Sequence, residues 1–228
     1  MSADYNKLDN PAWYALTEIQ KHFAIGGNEL KCYRKNIVDF AAYHSSEKNI
    51  LNGLDELYEP NEFFFIIGEL PALPFNYIIE SILPCLQMIC FSSISITPEA
   101  TIKKMDDEDE EEMTALINLV QPGYYKPDTR LMGDYYGIRI NNQLVSLAGE
   151  RIRMNGFTEI SAVVTHPDFT GRKYAQQLMA HTVNKNIADG TIPFLHTAET
   201  NKRAINLYEY LGFETRRIIP FTKIKRLK

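Results

Sequence analysis

The sequence predicts a mixed α/β fold built from two units, a smaller α+β unit over residues 1–97 and a larger unit over residues 102–228. Three observations support this prediction. From residue 135 onward, the larger unit contains strand-like runs that are joined by turns rich in asparagine and glycine. It continues with a loop, a helix, a strand and a final helix, an order in which the strands on either side of the first helix run parallel. The smaller unit consists of short apolar runs that are interrupted by prolines.

Hairpin turns mark the strands of the larger unit. Asn141-Asn142-Gln143 separates its first two runs, and Asn155-Gly156 is a dipeptide that typically joins antiparallel strands. Farther along, apolar residues at helical spacing predict a helix that ends at Asp189-Gly190, and Gly212 ends the last helix. The predicted elements are strands over residues 135–140, 144–153, 157–165 and 193–198 and a final helix over residues 202–211.

The smaller unit, the start of the larger unit and the C-terminus carry fewer signals. Asn10-Pro11 predicts the start of a helix over residues 11–24, which Gly26-Gly27 ends. The acidic run at residues 106–112 leads into an apolar stretch, so we expect it to form a first helical turn, where the helix dipole stabilises acidic side chains. The basic C-terminal residues 216–228 predict a charged strand at the edge of a sheet.

Composition and charge narrow the classes of partner. The 228 residues are 45% hydrophobic and 23% charged, as in ordinary soluble domains, and carry a net charge of −5. This charge argues against nucleic acid, because binding to a phosphate backbone needs a basic surface. The longest apolar stretch, residues 77–91, is shorter than the ~20 residues that span a bilayer, so we expect no membrane partner. Three cysteines and five histidines without ligand spacing predict no metal site and a reducing, cytoplasmic compartment.

The loop over residues 166–175 leads from the end of a strand into the start of a helix. Free backbone N–H groups and the helix dipole at such a start bind anions, and a pyrophosphate fits there. A strand, a turn and a helix with one glycine are also common as plain structure. The loop alone leaves both interpretations open.

The order of elements and two motifs in it resemble the GNAT superfamily of N-acetyltransferases over roughly residues 102–228. The family's cofactor loop, Gln/Arg-x-x-Gly-x-Gly/Ala, falls on residues 170–175, where Thr170 replaces the usual Gln or Arg and Lys173 replaces the usual glycine. Residues 201–213 match the signature Asn-x-x-Ala-x-x-Leu-Tyr-Glu-x-x-Gly-Phe. The strings EISAVVTHPDF and PFLHTAETN look most like the branch of glycine N-acyltransferase-like proteins.

The resemblance implies a GNAT-type acyl-CoA N-acyltransferase fold and a reaction. An acetyl or other acyl group passes from acetyl-CoA, as co-substrate, to the primary amine of a small molecule or peptide by direct attack. Tyr208 is the implied proton donor to the departing thiolate, although it also fits a core aromatic. Asn201 is implied to contact the cofactor, although helix capping explains it equally well. The other implied cofactor-binding residues are Val163, Val164 and Thr165 at the pantetheine arm and Gly171, Arg172, Lys173, Tyr174, Ala175 and Gln176 at the pyrophosphate.

Glu159 is the candidate general base. Acceptor amines with a pKa of ~10.4 are mostly protonated at neutral pH, so a group that removes a proton is useful. Glutamate is also rare inside strands, and the six residues from Thr165 back to Glu159 span ~20 Å, the length of an extended pantetheine arm. An exposed strand glutamate with no role is the alternative, and Glu150 on the preceding strand is a weaker second choice for the base.

Two rival functions stay open. One is a non-catalytic acyl-CoA-binding or regulatory module that keeps the fold without turnover, as the departures in the cofactor loop suggest. The other is a protein-interaction role of the smaller unit, which an exposed apolar patch would indicate. His166 and His196 are expected to be structural histidines. The acceptor, the acyl chain length and the oligomeric state do not follow from the sequence.

Overall fold

A computed structural model of the protein describes residues 4–44 and 53–228. In the described part, eleven strands form one mixed sheet with the order β1-β2-β3-β4-β11-β5-β10-β9-β8-β7-β6. The strands are β1 (Ala24–Gly26), β2 (Leu30–Tyr33), β3 (Phe40–Tyr43), β4 (Phe63–Ile67), β5 (Tyr77–Ile89), β6 (Ile102–Lys104), β7 (Tyr135–Ile140), β8 (Gln143–Met154), β9 (Phe157–Thr165), β10 (Ile192–Ala198) and β11 (Glu214–Arg226). The helices are α1 (Pro11–Thr17), α2 (Leu54–Leu57), α3 (Glu110–Val120), α4 (Tyr174–Ala188) and α5 (Lys202–Tyr210).

The helices cover both faces of the sheet. Phe157 and Phe194 pack in a cluster with α1, whereas Ile160 and Leu195 pack with α4 and α5. Because alternate strand residues point to opposite faces, α1 lies on one face and α4 and α5 on the other. Near the C-terminal end of β9, Val164 packs with residues of α3. The predicted mixed α/β fold is confirmed.

One strand of the smaller unit completes the sheet of the larger one. Strand β5 lies between β10 and β11 and is antiparallel to both, with Phe194 opposite Ile89 and Tyr77 opposite Arg226. The predicted division at residues 97–102 therefore does not divide the sheet. Two separately folding units stay a prediction.

Strands β9 and β10 diverge, and this divergence shapes the site. They pair in parallel over three positions only, from Phe157 opposite Ile192 to Glu159 opposite Phe194. Beyond them, Ala162 has a φ of 51°, and the register against β8 shifts at this point. A bulge of this kind bends its strand and redirects the residues that follow. Among the described residues, the end of β9 therefore has no paired neighbour on the β10 side.

Most of the predicted strands form where the turn residues indicated. Asn141, Asn142 and Gly156 adopt the positive φ angles that hairpin turns require, and the acidic run enters α3 through a capping box between Asp106 and Asp109. The helix predicted over residues 11–24 is shorter, because α1 ends at Thr17 and residues 24–26 form β1.

The prediction of an edge strand at the basic C-terminus is wrong. Strand β11 pairs with β4 on one side and with β5 on the other. Lys223 pairs with Glu80 on the neighbouring strand β5, with 2.6 Å between Nζ and Oε2. Its charge is thus matched inside the sheet. No helix in the described ranges is long and apolar enough to cross a membrane.

Candidate active site

A groove of about 600 Å³ runs from the open end of β9 to the starts of α4 and α5. The residues predicted to bind the cofactor all line it, and so does Tyr208. These residues come from three segments that follow one another in the chain, and the fold brings them to one groove. The lining from the predicted set is Val163, Val164, Thr165, Gly171, Arg172, Lys173, Tyr174, Ala175, Gln176, Asn201 and Tyr208.

The end of β9 offers an open strand edge to the groove. Val164 and Thr165 pair with β8 on one side, opposite Leu147 and Ser146. On the other side β10 has already diverged, because its pairing with β9 stops at Phe194. Open backbone N–H and C=O groups at a strand edge can pair with an extended ligand. The edge therefore suits a linear chain that carries amide groups.

The start of α4 offers backbone N–H groups at the other end of the groove. Tyr174 is its first residue, and Lys173 stands at the capping position without a side-chain cap. The first four N–H groups of a helix have no partner inside the helix, and the dipole adds positive potential there. Gly171 with φ 78° and Lys173 with φ 60° shape the turn before the helix. This end suits an anion.

Lys173 occupies a backbone conformation that explains why glycine is usual at its position. A φ of 60° lies in the left-handed region, which glycine enters without the clash that a Cβ causes. Lys173 is exposed, so its side chain extends from this turn into solvent at the groove. Lysine in place of the usual glycine therefore introduces backbone strain, and it adds a cation at the end of the groove that suits an anion.

Asn201 caps α5, as the alternative interpretation of this residue requires. Its side-chain oxygen accepts a hydrogen bond from the backbone N–H of Ala204, with 3.2 Å between the two atoms. Asn201 also lines the groove, so capping and ligand contact are compatible. A capping side chain of this type stabilises a helix by about 1 kcal/mol.

Tyr208 lies on α5 with its ring in the core and 9% of its surface exposed. The ring packs against Phe213, with 5.9 Å between the ring centroids. Burial raises the pKa of the Tyr208 hydroxyl to about 12. Within the described residues the hydroxyl forms no hydrogen bond, and the side chain faces the groove. A hydroxyl in this position keeps its proton and can donate it.

Glu159 does not line the groove but lies in a buried ion pair. Its Oε1 accepts a hydrogen bond from Nη2 of Arg151 at 2.6 Å, and its Oε2 accepts one from Nε of Arg151 at 2.9 Å. Nδ1 of His196 donates to the same Oε1 at 2.7 Å. Although burial opposes ionisation, Arg151 and His196 together lower the pKa of Glu159 to about 2. These contacts leave the carboxylate with little affinity for a proton.

The weaker candidate, Glu150, is also committed to structure. Its Oε1 accepts a hydrogen bond from Nζ of Lys185 at 3.0 Å, and the glutamate is fully buried. Lys185 in turn contacts Asp134 and Asp189. This network joins β8 to α4 and lies outside the groove.

His196 has hydrogen-bond partners on both ring nitrogens, as expected of a structural histidine. Nδ1 contacts Glu159, and Nε2 lies 3.0 Å from the side-chain amide nitrogen of Gln87. That amide nitrogen also donates to the carbonyl of Leu8, so it is a donor and Nε2 is its acceptor. His196 therefore carries its proton on Nδ1. His166 likewise accepts a hydrogen bond from the backbone N–H of Asp168.

Besides the groove, the structure contains a second pocket of about 550 Å³. The two share the loop that follows α3, since Gln121 lines the groove and Pro122 lines the second pocket. Aromatic rings form much of its wall, and they come from strands β3, β4 and β11 and from this loop. The rings are those of Phe40, Phe63, Phe65, Tyr124 and Phe221, and Arg151 and His196 also line the pocket.

The sequence interpretation missed this second pocket. Arg151 and His196 come from the two strands that flank β9, and the rings come mostly from the smaller unit, more than seventy residues earlier. No local motif connects these positions. The crowding of Phe63, Phe64 and Phe65 was the one available signal, and it fits an ordinary core strand equally well.

Comparison with known proteins adds the family. The chain is 30% identical to a protein from Novosphingobium aromaticivorans assigned to the GNAT acetyltransferases, with a TM-score of 0.89, over 97% of this chain and 99% of that one. The chain belongs to the GNAT family. A sequence model of the FR47-like proteins matches residues 135–220, which include the open end of β9 and most of the groove.

A more distant GNAT structure shares the fold. A GCN5-related N-acetyltransferase from Kribbella flavida has a TM-score of 0.60 at 15% identity, over 94% of this chain and 93% of that one. At this identity the similarity concerns the fold alone. No curated protein matches the sequence.

Proposed function

We propose that this GNAT protein transfers an acyl group from acyl-CoA, with acetyl-CoA as the principal donor, to the primary amine of a small molecule or peptide. One observation carries the proposal. An open strand edge, an uncapped helix start and a protonated tyrosine hydroxyl share one groove. These three features suit the amide-rich arm, the phosphates and the departing sulfur of an acyl-CoA.

The proposed binding mode follows the groove from one end to the other. Backbone groups of residues 163–165 pair with the pantetheine arm as an additional strand would. The N–H groups at the start of α4 hold the pyrophosphate, and the ammonium of Lys173 reduces its charge. The thioester then lies where β9 and β10 diverge, close to Tyr208.

The proposed reaction is direct attack. The amine nitrogen forms a bond to the thioester carbonyl carbon, the carbon–sulfur bond breaks, and the sulfur leaves as a thiolate. Tyr208 donates its proton to this thiolate, and the amine loses one proton. For that proton, the low pKa and the filled hydrogen bonds of Glu159 favour release to water over transfer to this carboxylate. Glu159 as the base stays a prediction, which its Gln variant tests.

The second candidate function is a non-catalytic acyl-CoA-binding module. The ion-paired state of Glu159 favours it, because the residue expected to activate the amine is occupied elsewhere. Turnover separates the two functions. A module binds acyl-CoA and leaves the thioester intact in the presence of every amine.

Two finer points also belong to the proposal. We propose a relation to the glycine N-acyltransferase-like branch on the two sequence strings quoted above. We propose a cytoplasmic location, supported by the buried, unpaired state of Cys32, Cys85 and Cys90.

The experiment is a thiol-release assay with acetyl-CoA and a panel of amines, with the acylated product identified by mass spectrometry. We expect release that depends on the amine. Binding of acetyl-CoA without any amine-dependent release supports the non-catalytic module. No binding of acetyl-CoA, longer acyl-CoAs or free CoA would refute both candidates.

A further inference from the structure

One pocket contains a partly buried cation with unused hydrogen-bond donors. The pocket is the second one described above, walled by aromatic rings. Arg151 keeps 19% of its side chain exposed, and the carbon at the centre of its guanidinium lies 5.0 Å from the ring centre of Phe40 and 5.9 Å from that of Phe221. The two rings and Glu159 hold the guanidinium in one orientation. Arg151 is one of the residues that line the pocket.

Glu159 uses only part of the guanidinium. An arginine has five N–H donors in a fixed fork, and Glu159 accepts from Nε and Nη2 along one side of it. Among the described residues no acceptor contacts Nη1. A second carboxylate can therefore bind end-on, across Nη1 and the remaining N–H of Nη2. Such bonds between charged groups are among the stronger hydrogen bonds in proteins.

The other charged groups of the pocket are less suited to this task. Asp39 is paired with Lys126, and Lys223 is paired with Glu80. Lys223 also lies over the ring of Phe63, with 4.2 Å between Nζ and the ring centre. Arg151 is the charged residue on the β10 side of the pocket, beside His196 and the divergence of β9 and β10.

We propose that the acceptor is an amino acid-like molecule, a primary amine with a carboxylate one or two carbons away and an apolar or aromatic body. This inference rests on the proposed function. Arg151 binds the carboxylate, the rings of Phe40, Phe65 and Phe221 contact the body, and the amine points to the divergence of β9 and β10, where the thioester lies. Arg151 is a specificity-determining residue, and Glu159 positions it.

The first test needs no mutation. The parent protein receives acetyl-CoA with L-phenylalanine, L-phenylalaninamide or 2-phenylethylamine, which share one aromatic body. Loss of hydrogen bonds to a charged group lowers kcat/KM by about 10- to 100-fold, so we expect phenylalanine to exceed both others by that factor. The amide is the sharper control, because its amine is less basic and more often neutral. Equal or faster acylation of the amide overturns the inference and leaves the proposed function intact.

Variants then locate the anion site. Arg151→Lys keeps the charge but loses the fork, so KM for phenylalanine rises about 10-fold while acetyl-CoA affinity is unchanged. The double variant Arg151→Met with Glu159→Met removes both charges and leaves no unpaired buried ion, and the preference for the carboxylate disappears. Lys223→Met is the matched control, because it removes a second cation that lines the pocket. A preference that vanishes with Lys223→Met, or one that survives the double Met variant, contradicts the proposal.

If none of the three amines is acylated, calorimetry with CoA present decides the inference separately. Phenylalanine binding at least about 10-fold tighter than 2-phenylethylamine supports the anion site even though acyl transfer has failed. Equal affinity, or no binding of either, refutes it.

Discussion

Tyr208→Phe tests the proposed acid with little change to the fold. The ring stays packed against Phe213, and the lost hydroxyl has no hydrogen bond to a described residue, so we expect an unchanged unfolding midpoint. Positioned proton transfer contributes ~10²–10⁴-fold, which corresponds to about 2.7–5.4 kcal/mol of the barrier. We expect kcat to fall within this range at pH 7 and acetyl-CoA affinity to stay the same.

The pH profile adds an independent readout. Because the pKa of Tyr208 is raised to about 12, the hydroxyl stays protonated through pH 10, and the parent rate rises with pH as the amine loses its proton. A thiol of the cysteine type has a pKa of ~8.5, so the leaving thiolate needs no proton above about pH 9. The deficit of the variant therefore shrinks at high pH.

The assay is steady-state thiol release at saturating acetyl-CoA between pH 6 and pH 10. Tyr136→Phe is the matched control, since Tyr136 is 7% exposed and lies outside the groove. A Tyr208→Phe variant that turns over like the parent at every pH refutes the assignment of the acid. An equal loss in the control variant would point to a general effect of removing a buried hydroxyl.

Three further predictions concern the groove and its supports. Lys173→Ala keeps the Cβ and removes the ammonium, so acetyl-CoA affinity falls at low salt and falls less at high salt. Calorimetry at two ionic strengths measures this difference. If the variant and the parent bind acetyl-CoA equally at both ionic strengths, Lys173 has no role in binding. Glu159→Gln removes the buried charge partner of Arg151, so the free energy of unfolding in urea at pH 7 falls by about 3–5 kcal/mol. The kcat of the folded enzyme changes less than tenfold. A loss of kcat of ~10²–10⁴-fold that high pH partly restores would instead identify Glu159 as the base. Since the pKa of Glu159 is lowered from 4.5 to about 2, its contribution to parent stability is present above pH 4.5 and is lost as pH falls towards 2. Gly149→Ala places a Cβ against the ring of Tyr135, opposite the β9 bulge, and lowers the free energy of unfolding by about 1–3 kcal/mol. The midpoint of urea unfolding measures this change, and an unchanged midpoint contradicts this packing.

Local signals predicted the elements of the larger unit well. The turns at Asn141-Asn142 and Asn155-Gly156 depend on φ angles that few residues adopt, so they mark the hairpins in the sequence itself. The groove follows from the same local order, because the end of β9, the loop and the starts of α4 and α5 follow one another in the chain. Their residues could therefore be predicted together.

Pairing between distant segments could not be predicted in this way. Strand β5 inserts between β10 and β11, and nothing within residues 77–89 indicates those partners. The same limit applies to β11, whose basic residues resemble those of an exposed edge although it lies between two strands.

The environment of Glu159 was hidden for a related reason. Irregular pairing between β8 and β9 sets which side chains face one another, and it brings Arg151 onto the carboxylate. Simple alternation along the strand does not contain this information. A glutamate that looks free in a strand can thus be a buried partner of arginine.

Binding of acetyl-CoA at the start of α4 is the most direct test of the proposed function. Gln176→Glu adds a negative charge in the first turn of α4, which the helix dipole favours, while the same charge repels a pyrophosphate held there. Isothermal titration calorimetry compares the parent, this variant and a control, Asn28→Asp. The control adds the same charge at the exposed turn between β1 and β2, at the far end of the sheet from the groove. We predict that the parent and Asn28→Asp bind acetyl-CoA equally and that Gln176→Glu binds at least about tenfold more weakly at low salt with an undiminished melting temperature. Equal binding by all three proteins, or no binding by the parent, would contradict the site.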